Sequence, residues 1–410
     1  MSLRQELNAM VEARMEDMAA DMMEMSRIPA VNPRMNGAGE YARMQWLQAY
    51  LKKYGIPFDV IEVPDDAVKE GVRLNLVVKL LGTEDPEKTL WIIAHVDTVN
   101  SGDLENWNTD PFQPERIGGR IYGLGVEDNS QAVITALHTC RLVMENKLQT
   151  KCSLGFIFAS DEETGSAYGL HALLDHGVFS PRDEAIVPDA GSADGSFVEI
   201  AEKSQVWLKF TVTGKQAHAS MPQLGINAAS IGMHLGVELE DMLKREFNQE
   251  DPLFNPPYST FELTQKFVNV DSPNVMPGKD VFVMDLRILP CYTVDQVMER
   301  IYAVTKRYEE ERKGVTVQVE FITRVDAPAP TPSDSDIVTR LVASIRENGV
   351  AAYYGGIGGG TCGAILRAHN IPAAVWSTLD ELAHQPNEYV VVENLVKDTK
   401  VYLSTILKYC

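Results

Sequence analysis

Apolar positions in the first half of the chain alternate between two patterns. Short apolar runs bounded by polar residues predict strands at "FDVIEV", "LNLVVKLL", "TLWIIAHV", "CSLGFIFAS" and "EAIVPDA". Apolar residues spaced by three and four predict helices at "EYARMQWLQAYLKKYG", "SQAVITALHTCRLVMEN" and "AYGLHALLDHG". Strands that are apolar on both faces and alternate with helices are typical of a sheet covered on both sides. We therefore predict a three-layer α/β/α domain.

The pattern changes near Lys203. From "QVWLKFTVTG" to "VTVQVEFI" the predicted order is strand, helix, strand, strand, helix, strand, which is the ferredoxin-like α+β arrangement. The Pro-rich segment "VDAPAPTPSDSD" follows, and we interpret it as a domain boundary rather than a recognition motif. A helix, the Gly-rich loop "YYGGIGGGTCGA", a strand and a last helix then restore the first pattern. We predict a discontinuous domain of residues 1–203 and 327–410, with residues 204–326 inserted as a second domain.

Charge and cysteine content exclude several classes of partner. The chain has 37 Lys and Arg against 58 Asp and Glu, a net charge of -21, which repels nucleic acid backbones and anionic membranes. No stretch is apolar enough for a signal peptide or a transmembrane helix. The five cysteines show no C-x-x-C spacing, so neither a disulfide framework nor a cysteine zinc site is indicated. These features favour a cytoplasmic protein without nucleic acid or membrane partners.

Residue types that bind metal ions follow the predicted strands of the larger domain. They are His95, Asp97, Asp128, Glu162, Glu163, Asp189 and His384. Each has an ordinary structural interpretation when taken alone; Asp128, for example, precedes a helix as an N-cap does. In open α/β sheets, however, ligands bind beyond the carboxyl ends of the strands, where these residues would meet. Such a cluster of acids repels itself unless cations lie within it, and its nitrogen and oxygen atoms suit zinc or a similar divalent ion.

Ordered motifs along nearly the whole chain resemble one enzyme family. The motifs are "AHVDTV", "GGRIYGLGVED", "DEETGS", "PDAG", "GKQAHAS", "NVMPGKDVFVMDLR", "GGGT" and "AHQPNE". They resemble, in this order, the co-catalytic zinc aminoacylase and carboxypeptidase family, which includes acetylornithine deacetylase, succinyl-diaminopimelate desuccinylase and glutamate carboxypeptidase. The resemblance implies a zinc-peptidase catalytic domain with an inserted lid and dimerisation domain.

The resemblance also implies a role for each metal-site residue. Asp128 corresponds to the carboxylate that bridges two metal ions. His95 and Asp189 correspond to ligands of one ion, and Glu163 and His384 to ligands of the other. The expected cofactors are two divalent ions, with zinc favoured and cobalt or manganese as alternatives.

Two further acids are implied to act without binding metal. Asp97 corresponds to the residue that orients the His95 ring, which metal-bound imidazoles generally require. Glu162 corresponds to the general base that takes a proton from the metal-bridging water and delivers it to the departing amine.

The inserted domain and the Gly-rich loop are implied to contact substrate. His218 corresponds to a histidine that stabilises the oxyanion and, in dimeric relatives, comes from the partner subunit, so a homodimer through the lid is expected. Asn274 and Arg287 correspond to groups that hold the substrate, and a guanidinium suits a substrate carboxylate. The alternative for Arg287 is a salt bridge on a strand surface. Gly360 and Thr361 correspond to backbone that lines the substrate site.

A few positions depart from the family pattern. Asn129, Ser130 and Gln131 follow the bridging aspartate where many relatives have a lysine and two glycines. Cys362 follows Thr361, and either a substrate contact or apolar packing explains it. None of these departures removes an expected ligand or the expected base.

The leading hypothesis is a two-metal hydrolase that cleaves the amide bond of an N-acyl amino acid with a metal-bridging water. Its substrate would be a small molecule, either an N-acyl amino acid or a short peptide. A dipeptidase or carboxypeptidase is the alternative within the same chemistry. A metal-dependent amino acid or peptide binding protein without turnover is the alternative of another class. Glu162 argues against the binding protein, because binding alone needs no free base.

Overall fold

The computed structural model describes residues 2–409, which fold into two compact units. Unit 1 contains residues 2–200, 331–355 and 361–409, and unit 2 contains Ala201–Pro330 and Gly356–Gly360. The Gly-rich segment 356–360 therefore folds with unit 2, whereas the predicted boundaries assign it to the larger domain. That unit 1 is catalytic and unit 2 a lid remains a prediction.

The elements are numbered in chain order. The helices are α1 (Leu3–Ala13), α2 (Met15–Ser26), α3 (Tyr41–Lys53), α4 (Gln131–Glu145), α5 (Leu170–Asp175), α6 (Ala228–Glu246), α7 (Val294–Glu311), α8 (Asp336–Glu347), α9 (Cys362–Ala368) and α10 (Val392–Ile406). Short 3-10 turns lie at Pro33–Met35, Leu104–Asn106, Glu162–Thr164, Pro222–Leu224 and Leu407–Tyr409, and a π-type turn lies at Val126–Ser130. Among these helices none is long and apolar enough to cross a membrane.

The strands are β1 (Asp59–Pro64), β2 (Val72–Leu80), β3 (Asp85–His95), β4 (Glu115–Ile117), β5 (Arg120–Tyr122), β6 (Cys152–Ala159), β7 (Glu184–Ser192), β8 (Phe197–Glu202), β9 (Ser204–Thr213), β10 (Ala217–His218), β11 (Thr260–Lys266), β12 (Val275–Met276), β13 (Lys279–Ile288), β14 (Thr316–Val325), β15 (Tyr353–Ile357), β16 (Ala373–Thr378) and β17 (Tyr389–Val391). The sequence pattern did not predict the short strands β4, β5, β10, β12 and β17, nor β8. It was wrong about "YYGGI", predicted as loop, because this segment forms β15.

Unit 1 is built on an eight-stranded sheet in the order β1-β2-β6-β3-β7-β16-β8-β15. The four central strands β6, β3, β7 and β16 run parallel, so their carboxyl ends lie at one edge. Helices α4, α9 and α10 are among those that pack on these strands. The predicted α/β fold is confirmed.

The centre of the sheet shows why β3 is apolar on both faces. All residues from Thr89 to His95 are buried. Gly155 on neighbouring β6 leaves room for the Trp91 ring, because a Cβ there would lie 1.9 Å from Trp91 Cε3. The indole Nε1 donates a hydrogen bond of 2.8 Å to Asp183. This close packing fixes β3 beside β6, and both strands end at the candidate site.

Unit 2 contains a four-stranded antiparallel sheet in the order β11-β13-β9-β14. Burial alternates along β9, because one face of the strand packs against α6 and α7 and the other does not. Phe210 and Phe282 stack on the helix side, with ring centroids 4.7 Å apart. The strand order and the two helices confirm the predicted ferredoxin-like arrangement.

Candidate active site

The candidate ligands of unit 1 meet at the carboxyl edge of the parallel strands. His95 is the last residue of β3, and Asp189 lies in the C-terminal half of β7. Glu162 and Glu163 form a 3-10 turn that follows β6. Asp128 comes from the π-type turn before α4, and His384 from the loop between β16 and β17. Five separate segments thus deliver these side chains to one place.

Asp128 lies between the two imidazoles. Its Oδ1 is 3.0 Å from His95 Nε2, and its Oδ2 is 3.4 Å from His384 Nε2. Asp189 Oδ1 also lies 3.3 Å from His95 Nε2, and Glu163 Oε2 lies 3.0 Å from His384 Nε2. Each oxygen of Asp128 therefore faces one histidine that is paired with a second carboxylate.

These residues fit a divalent cation. Ligand atoms of His95, Glu162 and Asp189 lie within 4.8 Å of one another, and so do those of His95, Asp128 and Glu163. Glu163 Oε1 is buried without a hydrogen-bond partner among residues 2–409, so it has a lone pair available for a ligand. Imidazole nitrogen and carboxylate oxygen form the donor set that zinc and related ions accept. Glu162, which the sequence predicts to be a free base, is thus itself a member of the first of these groups.

The raised pKa values of the buried glutamates indicate that these acids need positive charge nearby in order to be ionised. Burial raises the pKa of Glu163 to about 7, although a hydrogen bond with His384 opposes this shift. Burial, followed by the negative charge of Asp189, raises the pKa of Glu162 well above its usual range. A divalent cation beside these carboxylates would favour their ionised forms and lower both pKa values.

Both imidazoles are polarised by the surrounding acids. Hydrogen bonds with Asp128 and Glu163 raise the pKa of His384 to about 10. Burial alone would lower the pKa of His95, but hydrogen bonds with Asp128 and other acids outweigh burial, so this pKa lies well above its usual value. A divalent cation bound at the Nε2 atoms would displace the proton from that nitrogen of each ring, because only the neutral imidazole is a ligand.

Asp97 contacts both halves of the cluster. It is fully buried, and its carboxylate accepts hydrogen bonds from the backbone N–H groups of Glu162 (3.0 Å) and Glu163 (3.3 Å). The Nδ1 of His95 lies 3.1 Å from the Asp97 carbonyl oxygen and 3.5 Å from its carboxylate. The nearest partner of His95 Nδ1 is thus the main chain of Asp97, and the Asp97 carboxylate also holds the glutamate turn.

Two residues that were not predicted support Asp97. The Asn32 amide donates to Asp97 Oδ2 at 2.8 Å and to Asp161 Oδ1 at 3.0 Å. Asp161 has a left-handed backbone, with φ of 64°, directly before Glu162. Asp161 belongs to the motif "DEETGS", so its position was a usable signal. Nothing in the sequence pattern distinguishes Asn32.

Unusual residues after Asp128 also serve the site. Asn129 donates hydrogen bonds of 2.8 Å to Asp189 Oδ1 and 2.9 Å to the Pro188 carbonyl. It thereby orients the carboxylate of a candidate metal ligand. Gln131 donates to Asp398 of α10 and to the carbonyl of Thr378, the last residue of β16. The departure from the family pattern is thus compatible with a metal centre.

Cys362 packs as an apolar group. It is 3% exposed and lies in the same buried cluster as Leu366 and Val375. Burial raises the pKa of its thiol well above the usual range, so the side chain is neutral. The apolar alternative for Cys362 is therefore the better interpretation.

His218 and Asn274 are brought together within unit 2. The short strands β10 and β12 pair His218 with Val275, next to Asn274. His218 Nδ1 accepts the Ser220 N–H at 3.2 Å, and the Asn274 amide nitrogen lies 3.5 Å from His218 Nε2. The Ser272 hydroxyl donates to the Asn274 side-chain oxygen at 2.6 Å. Both side chains are exposed.

Arg287 is already paired within unit 2. Its Nε and Nη2 donate to Asp285 at 2.7 and 3.0 Å, and its Nη1 donates to the Gly358 carbonyl at 2.7 Å. The salt bridge considered as an alternative from the sequence is therefore present, and the third bond reaches the segment that ends in the exposed Gly360. Thr361 caps α9, its hydroxyl accepting the Gly363 N–H at 3.1 Å.

Comparison with known proteins gives this arrangement a context. The model of peptidase family M20/M25/M40 matches residues 91–408. The chain belongs to this family. It is 37% identical over 395 residues to an uncharacterized metallohydrolase of Methanocaldococcus jannaschii, covering 92% of this chain and 96% of that protein. It is 25% identical over 344 residues to the succinyl-diaminopimelate desuccinylase of Acinetobacter baylyi, covering 81% and 87% of the two chains.

Solved structures agree with the fold. The structure of human carnosine dipeptidase 1 has a TM-score of 0.74 at 14% identity, covering 100% of this chain and 99% of that one. As a member of the M20/M25/M40 family, the protein is a metal-dependent hydrolase of amide or peptide bonds. The predicted family and enzyme class are confirmed.

Proposed function

We propose that this M20/M25/M40 family member is a two-metal deacylase that cleaves the amide bond of an N-acyl amino acid. The observation that carries the proposal is Asp128, whose two oxygens face two imidazoles. Resemblance to a desuccinylase over most of the chain favours a substrate whose acyl group is a simple carboxylic acyl group, such as succinyl, rather than an amino acid residue. Zinc is the favoured ion, with cobalt or manganese as alternatives.

The proposed ligand sets follow from these pairs. His95 and Asp189 would hold one ion, Glu163 and His384 would hold the other, and Asp128 would serve both. Bound there, two divalent cations would supply positive charge to polarise the amide carbonyl and to acidify the attacking water.

Glu162 is the proposed proton carrier. Its carboxylate takes a proton from the attacking water and gives it to the nitrogen of the departing amine. The Asp97 carboxylate fixes the Glu162 backbone, and this limits where the Glu162 carboxylate can move. Glu162 and Glu163 thus divide two tasks between adjacent positions, proton transfer and metal binding.

His218 and Asn274 are the proposed donors to the oxyanion. Because the Ser220 N–H donates to His218 Nδ1, the ring proton lies on Nε2 in the neutral form. Since Ser272 donates to the Asn274 oxygen, the Asn274 amide hydrogens lie on the side of His218. Two donors 3.5 Å apart cannot satisfy each other, and an oxyanion would accept from both.

Arg287 and the Gly-rich segment are the proposed substrate-holding groups. The bond from Arg287 to the Gly358 carbonyl supports an indirect role, in which the guanidinium fixes the backbone that leads to Gly360 and Thr361. A substrate carboxylate would share Arg287 with Asp285.

A substrate panel tests the proposed function. Acetyl-, succinyl- and aminoacyl-amino acids are offered to the protein loaded with zinc, cobalt or manganese, and released amine is measured. We expect kcat/KM for at least one N-acyl amino acid to exceed that of matched dipeptides at least about tenfold, since a built acyl site discriminates by this order. A preference for dipeptides would make the protein a dipeptidase. Ligand-induced thermal stabilisation without product in every case would favour the binding-protein hypothesis.

We further propose that the protein forms a homodimer through unit 2. Strand β11 is an edge of the unit 2 sheet. Exposed apolar side chains lie on α6, on β11 itself and on the segment after it: Met233, Val237, Leu263, Phe267 and Val268. An exposed apolar edge pairs readily with another strand, and a second copy offers the same edge under two-fold symmetry.

Substitution of Val237 tests the dimer. Val237→Lys is expected to raise the dimer Kd at least about tenfold, because two-fold symmetry places two new charges at the interface. Sedimentation velocity over a concentration series measures the change. Val325→Lys is the matched control, since Val325 is also exposed but lies on β14, the opposite edge. A monomeric wild type, or equal effects of the two variants, would refute the proposed interface.

A further inference from the structure

Two buried glutamates flank the metal-site residues without belonging to either ligand group. Glu127 directly precedes Asp128 in sequence, and Glu388 follows His384 by four positions. They are 5% and 2% exposed. Neither has a role in the ligand sets proposed above, so their burial needs another explanation.

Glu127 binds the loop that carries His384. Its Oε1 accepts the Asp380 N–H at 2.6 Å, and its Oε2 accepts the Leu382 N–H at 2.5 Å. These amides lie on either side of Glu381, whose φ of 60° is in the left-handed region, as is the φ of 63° at His384. Non-glycine residues adopt this region only where surrounding contacts hold them there. The Glu127 carboxylate is one such contact.

Glu388 binds the loop that carries Asp128. Its Oε2 accepts the Gly125 N–H at 2.7 Å. Its Oε1 accepts the N–H groups of Glu127 at 2.8 Å and Asp128 at 3.0 Å. The carboxylate thus holds three backbone amides, and one of them belongs to the residue whose oxygens face both imidazoles.

The two contacts are reciprocal. The acid beside Asp128 fixes the loop of His384, and the acid beyond His384 fixes the loop of Asp128. We propose that Glu127 and Glu388 form a reciprocal carboxylate clamp that sets the position of His384 relative to Asp128. The clamp thereby completes the metal position that Glu163 and His384 form. Both act as positioning residues, and the inference rests on the proposed two-metal function.

The clamp predicts different losses for its two members. Because Glu127 holds only the His384 loop, Glu127→Gln should weaken the second ion, bound by Glu163 and His384, about tenfold and leave the first nearly unchanged. Because Glu388 holds the Asp128 backbone, Glu388→Gln should weaken both ions. Partners that orient metal ligands typically change metal affinity by about 10–100-fold, which sets this scale. In each variant the new amide nitrogen would face backbone N–H groups that need an acceptor.

Stepwise cobalt and zinc titration of the metal-free full-length protein measures these affinities. Calorimetry gives both Kd values, and the visible cobalt spectrum reports the geometry of each ion. For the ion bound by Glu163 and His384, the double variant should lose less than the sum of the single losses, because either substitution alone already disturbs the position of His384 relative to Asp128. Glu127→Asp keeps the charge but is too short to reach both amides, so it should repeat the selective loss even if Glu127→Gln folds poorly.

Glu184→Gln is the matched control. Glu184 is also a buried acid, accepting from the Tyr409 hydroxyl at 2.5 Å, but it starts β7 at the amino end. We expect this variant to bind both ions as the wild type does. Equal losses in Glu127→Gln and Glu184→Gln, or no selective loss in Glu127→Gln and Glu127→Asp, would overturn the clamp. A wild type that binds fewer than two ions would instead refute the two-metal function.

Discussion

Glu162→Gln is expected to lower kcat by about 10²–10⁴-fold, the usual contribution of a positioned general acid–base group. Gln keeps the size of Glu162 and its backbone N–H bond to Asp97, but it cannot accept a proton from water. KM should change little, because the proposed ligands and donors remain. Steady-state kinetics on the best substrate of the panel measures both quantities.

Metal content separates proton transfer from metal binding in this experiment. Glu162→Gln should retain two ions per chain by elemental analysis. Glu163→Gln is the matched neighbour, and it should lose the second ion because one of the two carboxylate oxygens is replaced. This contrast matters because Glu162 lies within one candidate ligand group with His95 and Asp189. If Glu162→Gln loses an ion, Glu162 is a ligand, and if turnover persists unchanged, it is not the base.

The spacing of apolar residues predicted most of the helices and strands, because the burial of each element determines that spacing. β3 is apolar on consecutive positions since helices cover both faces, and β9 alternates since one face remains open. β15 was missed because its "YYGGI" sequence combines exposed tyrosines with glycines, which are rare in strands. Gly356 is required there, since a Cβ would lie 2.3 Å from the Phe254 ring. Such close approaches cannot be predicted from the sequence, because the segment that contacts the glycine lies far away along the chain.

The candidate ligands could be predicted because metal sites restrict residue type at strand ends. The residues that orient them could not, because backbone hydrogen bonds across the chain leave no local pattern. Glu127 reaches an amide 253 positions away, and Asn32 reaches Asp97 over 65 positions. Asp97 lies between these cases. The sequence suggested a bond to one imidazole, whereas the structure adds two backbone amides of the glutamate turn.

Asp97→Ala is expected to keep the fold but lower kcat by about 100-fold. Loss of one partner of a metal-site residue typically costs about 10–100-fold, and Asp97 serves the His95 segment and the glutamate turn together, which favours the upper end. Removing its carboxylate leaves the N–H groups of Glu162 and Glu163 without this acceptor, and the Asn32 amide keeps only its bond to Asp161. Each buried unpaired donor costs about 1–3 kcal/mol, so thermal unfolding should shift to lower temperature.

A comparison of two substitutions distinguishes positioning from general destabilisation. Asn32→Ala also removes bonds to Asp97 and Asp161, but it leaves the Asp97 carboxylate bonded to both glutamate amides. If the carboxylate acts by holding the glutamate turn, Asn32→Ala should lower thermal stability comparably and kcat far less. The KM of both variants should stay near the wild-type value. Unchanged turnover in Asp97→Ala, or equal kcat losses in the two variants, would contradict the role of Asp97, because general loosening of the strand end would then account for the result.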